Sequence, residues 1–280
     1  MINTQMSTDK NNPRLAVLID ADNTFAVINI IDELFEEISK FGDASVRRIY
    51  GDWTQTQLNR WKDVLPKHAI QPIQQYANTT GKNATDSALI IDAMDLLYKA
   101  PLDGFCIVSS DSDFTRLAIR FRESGKLVYG FGEKKTPESL RAACNQFIYI
   151  EILSQNKLID AAEDGSEAVA PAKKPRSGRQ AKTAKPTAEI NSPEAPDIVK
   201  SSRGLAMDAK LVTLIRSAID ALSDEDGYAH IGEVKKHIVK NYSAFDSRNY
   251  NYPKFSELLK AVGLFEMDTQ KQRVKDKRKK

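Results

Sequence analysis

Phe105 to Phe114, F-C-I-V-S-S-D-S-D-F, is the stretch on which the reading of this chain turns. A short apolar run ends in two serines, and aspartates follow at 111 and 113. Such a run predicts a buried strand, and F-T-R-L-A-I-R-F-R from Phe114 onward predicts an amphipathic helix. Asp111 and Asp113 then stand on a strand-to-helix turn at the carboxyl edge of a sheet, where open α/β folds bind ligands. Carboxylates this close repel each other unless a cation lies between them, and hard divalent ions favour carboxylate oxygens. Helix capping is the other use, since Ser110 or Asp111 can cap the next helix and the dipole favours Asp in a first turn. The stretch alone leaves both uses open.

A matching turn lies near the start of the chain. Leu15 to Ile19, L-A-V-L-I, is a continuous apolar strand that ends in Asp20-Ala21-Asp22-Asn23-Thr24. Ile28, Ile31, Leu34, Phe35 and Ile38 follow at helical spacing and close at Phe41-Gly42. Further strands are expected at 45–50, 70–74, 126–131 and 147–153, with helices at 56–64, 84–98 and 137–143. In the helix at 84–98, Ala88, Ile91 and Leu96 are expected to face inward. This alternation predicts a mostly parallel sheet covered on both faces. If the two most apolar strands are neighbours, Asp20, Asp22, Asn23, Asp111 and Asp113 meet in one crevice. Asp86, in the first turn of the helix at 84–98, joins them. That is more acid than capping requires.

The 280 residues suffice for one substantial domain and a small one. A net charge of +3 names no partner, so the distribution of charge carries the information. Cys106 and Cys144, the two cysteines, suggest neither a disulfide framework nor a metal knuckle and read as structural thiols in a reducing compartment. The N-terminus has no apolar segment of signal-peptide length and no run approaches bilayer length, so a cytoplasmic protein is expected. Residues 1–13 read as a disordered leader and 14–154 as the α/β domain. Residues 155–206, rich in Ala, Pro, Lys, Ser and Glu, read as a disordered linker. Helical patterns return over 207–270, with Val262-Gly263-Leu264-Phe265 suggesting a small strand or wing, which makes a helix-turn-helix type of module. Residues 271–280 read as a basic tail attractive to phosphates.

Three blocks, I-D-A-D-N-T at Ile19–Thr24, T-D-S-A-L-I-I-D-A-M at Thr85–Met94 and S-S-D-S-D-F at Ser109–Phe114, resemble the signature blocks of NYN domains. These are the LabA-like branch of the PIN-like nucleases, and block order and spacing match as well. The C-terminal segment, with Y-P-K-F-S-E-L-L at Tyr252–Leu259, resembles an OST-HTH (LOTUS) domain. The resemblance implies a Rossmann-like sheet, a small winged-helix-like α domain, and a pocket that holds Mg²⁺ or Mn²⁺ and hydrolyses RNA. Carried over by position, the catalytic set is Asp20, Asn23, Asp86, Asp111 and Asp113, with metal held by Asp20, Asp86, Asp111 and Asp113. Asp22 is an accessory group, and Asp92 and Asp95 lie at the rim or are simply exposed. Lys82, Ser110 and Arg116 are the expected contacts to nucleic acid. The partner is RNA in single-stranded form, with no membrane, and a homo-oligomer stays open.

The chemistry suits the residues, because metal ions held by carboxylates activate water and stabilise charge on a phosphate. His68, His230 and His237 fall outside the three blocks, which argues against a histidine-driven mechanism. Two rivals remain. D-A-D-N-T also fits the D-x-D-x-T block of HAD phosphatases, with Asp20 as nucleophile. A non-catalytic RNA-binding adaptor would keep the same modules without turnover. Trp53, Tyr76 and Tyr242 are candidates for base stacking that read equally as packing.

Overall fold

Alternate residues of the first strand enter two different cores. Strand β1 (Arg14–Asp20) sends Leu15, Val17 and Ile19 to one side and Ala16 and Leu18 to the other. Strand β4 (Gly104–Val108) does the same, with Cys106 and Val108 on the first side and Phe105 and Ile107 on the second. Both strands are therefore central and covered on both faces, which is why they read as unbroken apolar runs. The computed structural model describes residues 12–76, 84–154, 202–206, 208–270 and 272–278.

A 3₁₀ turn at Phe25–Ile30 leads into helix α1 (Ile31–Ser39), strand β2 (Asp43–Gly51), a 3₁₀ helix at Thr56–Trp61 and strand β3 (Gln71–Gln74). Helix α2 (Ala84–Lys99) precedes β4. After β4 come a 3₁₀ turn at Ser112–Phe114, helix α3 (Thr115–Glu123), strand β5 (Leu127–Gly132), helix α4 (Glu138–Ala143) and strand β6 (Gln146–Tyr149). The six strands are all parallel in the order β3-β2-β1-β4-β5-β6. The order reverses between β1 and β4, and Ile19 pairs with Val108, so their carboxyl ends finish side by side. This is the doubly wound α/β arrangement whose reversal point opens a crevice.

Three local expectations change. Ile91 is 67% exposed; the inward face of α2 is Leu89, Ala93, Leu96 and Leu97. The strand expected over 147–153 ends at Tyr149, and 150–154 turn helical while Ile150, Ile152 and Leu153 stay buried. The helix expected at 56–64 is a shorter 3₁₀ segment.

The C-terminal module begins with α5 (Ser202–Ala206), inside the stretch read as linker, and Leu205 is part of its core. The rest of that stretch lies outside the described residues, as do 1–11 of the leader. Helix α6 (Ala209–Leu222) is capped by Asp208, whose carboxylate accepts from the Leu211 amide at 3.2 Å. Strand β7 (Ala229–His230), α7 (Ile231–Asn241), a 3₁₀ turn at Ser247–Tyr250, α8 (Phe255–Val262), β8 (Phe265–Met267) and β9 (Arg273–Asp276) follow. β8 and β9 pair antiparallel as a wing and β7 adds a third strand. β9 lies within the stretch read as a basic tail. Its alternation buries Val274 and Asp276, with Asp276 bound to Arg216 and Arg278.

The module docks on the sheet at β6. The Phe147 amide donates to the Ser243 carbonyl at 2.8 Å, and the Ser243 hydroxyl donates to the Arg141 carbonyl at 2.5 Å. Farther along, Arg248 makes a two-pronged bond to Glu37 at the end of α1, at 2.7 and 3.0 Å, and also meets Asp246 at 2.7 Å. Glu37 is buried and takes a further bond from Lys40 at 2.9 Å. Among the described residues no helix is long and apolar enough to cross a membrane.

Candidate metal centre

Asp20 is the last residue of β1 and has no exposed surface. One carboxylate oxygen accepts from the Asn23 side-chain amide at 2.8 Å and the Ser109 hydroxyl at 2.9 Å, while the other accepts from the Asp22 amide at 3.2 Å. The Thr24 hydroxyl bonds the Asp20 carbonyl, which closes the turn. Burial pushes the Asp20 carboxyl up, against the hydrogen bonds from Asn23 and Ser109 that favour its charged form. Its acceptors are thus engaged by the fold itself.

Across the crevice, Ser109 follows β4. Its hydroxyl reaches back to Asp20 and accepts from the Asp111 amide at 3.1 Å, so one side chain ties both turns together. Asp111 caps the next turn by accepting from the Asp113 amide at 2.9 Å. Capping was one of two uses open for this residue, and the geometry shows it in place. It engages one oxygen and leaves the carboxylate beside its neighbours. Gly132, at the end of β5, passes so close that a Cβ there would lie 2.7 Å from the Ser109 carbonyl.

Asp86 comes from the first turn of α2 and completes a trio. One oxygen from each of Asp86, Asp111 and Asp113 lies within 4.8 Å of the others. Burial pushes Asp86 up to about 6, with further upward pressure from the carboxylates of Asp20, Asp111, Asp113 and Asp22. The leading charges that act on it, among the described residues, are carboxylates. Three carboxylate oxygens gathered this closely are a donor set that one hard divalent ion can share. Three hard oxygen donors with mutual repulsion fit Mg²⁺ or Mn²⁺.

The remaining candidates divide. Asn23 serves Asp20 and sits outside the trio, as does Asp20, and Asp22 is exposed. The Ser110 hydroxyl accepts from the Glu133 amide at 2.9 Å and so holds the loop after β5. Arg116 is exposed on α3, and Lys82 lies outside the described residues. Asp92 is engaged by Arg48 and Tyr50, and Asp95 pairs with Lys99 in solvent. Trp53 packs, its indole donating to the Ile73 carbonyl at 3.0 Å, whereas Tyr76 and Tyr242 are exposed. Both cysteines are buried free thiols, with Cys144 pushed up to about 12 chiefly by burial. Sequence reasoning overlooked Ser109. A hydroxyl directly after an apolar strand was the available signal, but its partner is 89 residues away. The phosphatase reading loses ground here, because a nucleophilic Asp20 would need an accessible oxygen and this one is sealed.

The family models agree with this architecture. The NYN domain model matches residues 14–151 and the OST-HTH/LOTUS domain model matches residues 206–275. The chain is 29% identical over 126 residues to uncharacterized protein MJ0482 of Methanocaldococcus jannaschii, an alignment covering 44% of this chain and 49% of that protein. The crystal structure of a protein of unknown function, VPA0982 from Vibrio parahaemolyticus, aligns with a TM-score of 0.43 at 16% identity, over 50% of this chain and 94% of that one. With its acidic cluster at the reversal point of the sheet, this chain pairs an NYN domain of the PIN-like nuclease type with an OST-HTH/LOTUS domain.

Proposed function

We propose that the protein is a ribonuclease that uses Mg²⁺ or Mn²⁺ and takes single-stranded RNA, in the cytoplasm. The observation that carries this reading is the trio of Asp86, Asp111 and Asp113, brought together from two elements and surrounded by further carboxylates. In this reading the trio holds the metal. A bound divalent ion supplies Lewis acidity toward a phosphodiester and lowers the pKa of water. The residues do the rest. Asp20, locked by Asn23 and Ser109, fixes the β1 turn against the β4 turn and adds negative potential behind the trio. Asp86, whose carboxyl is pushed up to about 6 by burial and the neighbouring acids, would ionise fully beside a bound cation. The OST-HTH domain supplies RNA affinity, and in the same chain it raises the local RNA concentration at the pocket.

The test uses end-labelled single-stranded RNA with Mg²⁺ or Mn²⁺, an EDTA control and the Asp111→Asn protein. Loss of one ligand is expected to slow cleavage roughly 10²–10³-fold, a transition-state effect of several kcal/mol. EDTA is expected to abolish it. RNA that stays intact in every lane while remaining bound would replace this reading with the adaptor.

A further inference from the structure

Between the α/β domain and the C-terminal module lies an open cleft of about 1340 Å³. Arg122, Lys134 and Arg141 line it from one side, and Lys210 and Lys240 from the other. Glu138 and Asp208 are the acids in its lining, so cations dominate. Tyr149, Tyr242 and Tyr250 are set among them, with Tyr242 59% exposed. Cations interleaved with aromatic rings suit a flexible polyanion whose bases can be splayed out and stacked.

The direction of the cleft is as informative as its lining. Arg122 ends α3, which has returned to the amino edge of the sheet, and its guanidinium donates to the Ala142 and Ala143 carbonyls at the end of α4. Lys134 follows β5 at the carboxyl edge, where the acidic turns stand. The cleft therefore runs alongside α4 from one edge of the sheet to the other. At its carboxyl end two contacts tie the elements that line it to the acidic turn. The loop carrying Lys134 is held by Ser110 through the Glu133 amide, and Ser139 on α4 touches Thr115 through their hydroxyls at 3.4 Å.

We infer that this inter-domain cleft is the binding groove for single-stranded RNA, built by both domains together, and that it delivers the strand past α4 to the trio of Asp86, Asp111 and Asp113. The inference rests on the RNA reading above but not on turnover. It gives the docked module a role in addition to tethering, because Lys210, Lys240, Tyr242 and Tyr250 all belong to that module. A duplex is disfavoured, since its bases cannot reach the rings.

The test measures binding of a fluorescent single-stranded RNA to the full chain in EDTA, which separates it from cleavage. Lys210→Gln with Lys240→Gln is expected to lower the slope of log K against log salt by about 1.4, at about 0.7 for each phosphate no longer neutralised. Tyr242→Ala is expected to weaken binding about tenfold at fixed salt, as loss of one stacked base implies. Lys235→Gln with Lys236→Gln, on exposed α7 positions outside the cleft, should leave both unchanged. Unaltered affinity and slope in the cleft proteins, with loss in the Lys235/Lys236 protein, would overturn the groove and move RNA to another face of the module. Binding lost in the cleft proteins, in a chain that never cleaves RNA, would uphold the groove while the nuclease reading failed. Thermal unfolding of each protein should match the unaltered chain; a cleft protein that binds normally after passing this check sinks the inference.

Discussion

Glu37 and Asp86 are both acids drawn out of full solvent by the same domain, and their fates are opposite. Burial works to raise Glu37, yet hydrogen bonds from Arg248 and Lys40 outweigh it and hold the carboxyl below its usual range. Asp86 meets burial and then four more carboxylates, and rises to about 6. At Glu37 the chain brings its own cation from 211 residues away. At Asp86 the leading charges among the described residues are carboxylates. Acids gathered in one place, in a fold that pairs an acid with a cation in another, make that place the candidate site proposed above. The first pair is architecture. The second is the proposed metal site.

The largest expected effect breaks the balanced side. Arg248→Ala strips buried Asp246 of its guanidinium and leaves Glu37 with Lys40 alone, and should cost about 3 kcal/mol, read as a lower urea midpoint for the C-terminal module. Replacing both partners, Glu37→Met with Arg248→Met, should recover most of that loss, because an ion pair removed whole is often neutral. No recovery would mean that the contact matters through its neighbours and not through charge.

On the unbalanced side the sign reverses. Asp86→Asn removes one repelling carboxylate and should stabilise the metal-free protein by about 1 kcal/mol, a figure reduced for solvent screening because the residue is only partly buried. The same protein should lose the stabilisation that Mg²⁺ gives the unaltered chain in thermal unfolding. Stability of the unaltered chain raised equally by Asp86→Asn with and without Mg²⁺ would detach Asp86 from the metal.

The smallest effect is in the pH profile, and it resolves both groups in one titration. Asp86 has a folded value above its ordinary 3.8, so the folded state holds the extra proton between about 4 and 6. In EDTA its contribution makes stability rise as pH falls through 6 toward 4. Glu37 has a folded value below its ordinary 4.5, so its contribution is fully present above 4.5 and is lost as pH falls through the lowered value. Urea midpoints taken across this range should climb from pH 7 and then turn down below about 4.5. Asp86→Asn should flatten the climb, and Arg248→Ala the descent.

Much of the fold was legible because its signals are local. The unbroken apolar runs at β1 and β4 marked central strands, and their adjacency brought Asp20 and Asp111 to one edge as expected. Asp86 was legible through its place in the first turn of α2. The inward face of that helix was not, since A-L-I-I-D-A-M-D-L-L offers apolar residues on more than one side and only packing selects Leu89 and Ala93 over Ile91. The strand β9 hid in a lysine-rich stretch, because its inward positions include Asp276, whose partner Arg216 is remote in sequence. Ser109 and Arg248 escaped for the same reason. Their meaning lies in bonds that span 89 and 211 residues, and no periodicity reports those.

The bond between Phe147 and Ser243 has a consequence for the protein's behaviour at high concentration. A six-stranded sheet that is not closed has two rims of unpaired backbone, each able to recruit a strand from another molecule. At the β3 rim, Pro72 withholds an amide. At the β6 rim the protein uses its other domain, which seats a carbonyl on the Phe147 amide. Loosening that domain would do more than free a tether. It would uncover a β-strand edge beside the apolar side chains of Phe147 and Ile148, and turn a folded chain into a template for aggregation.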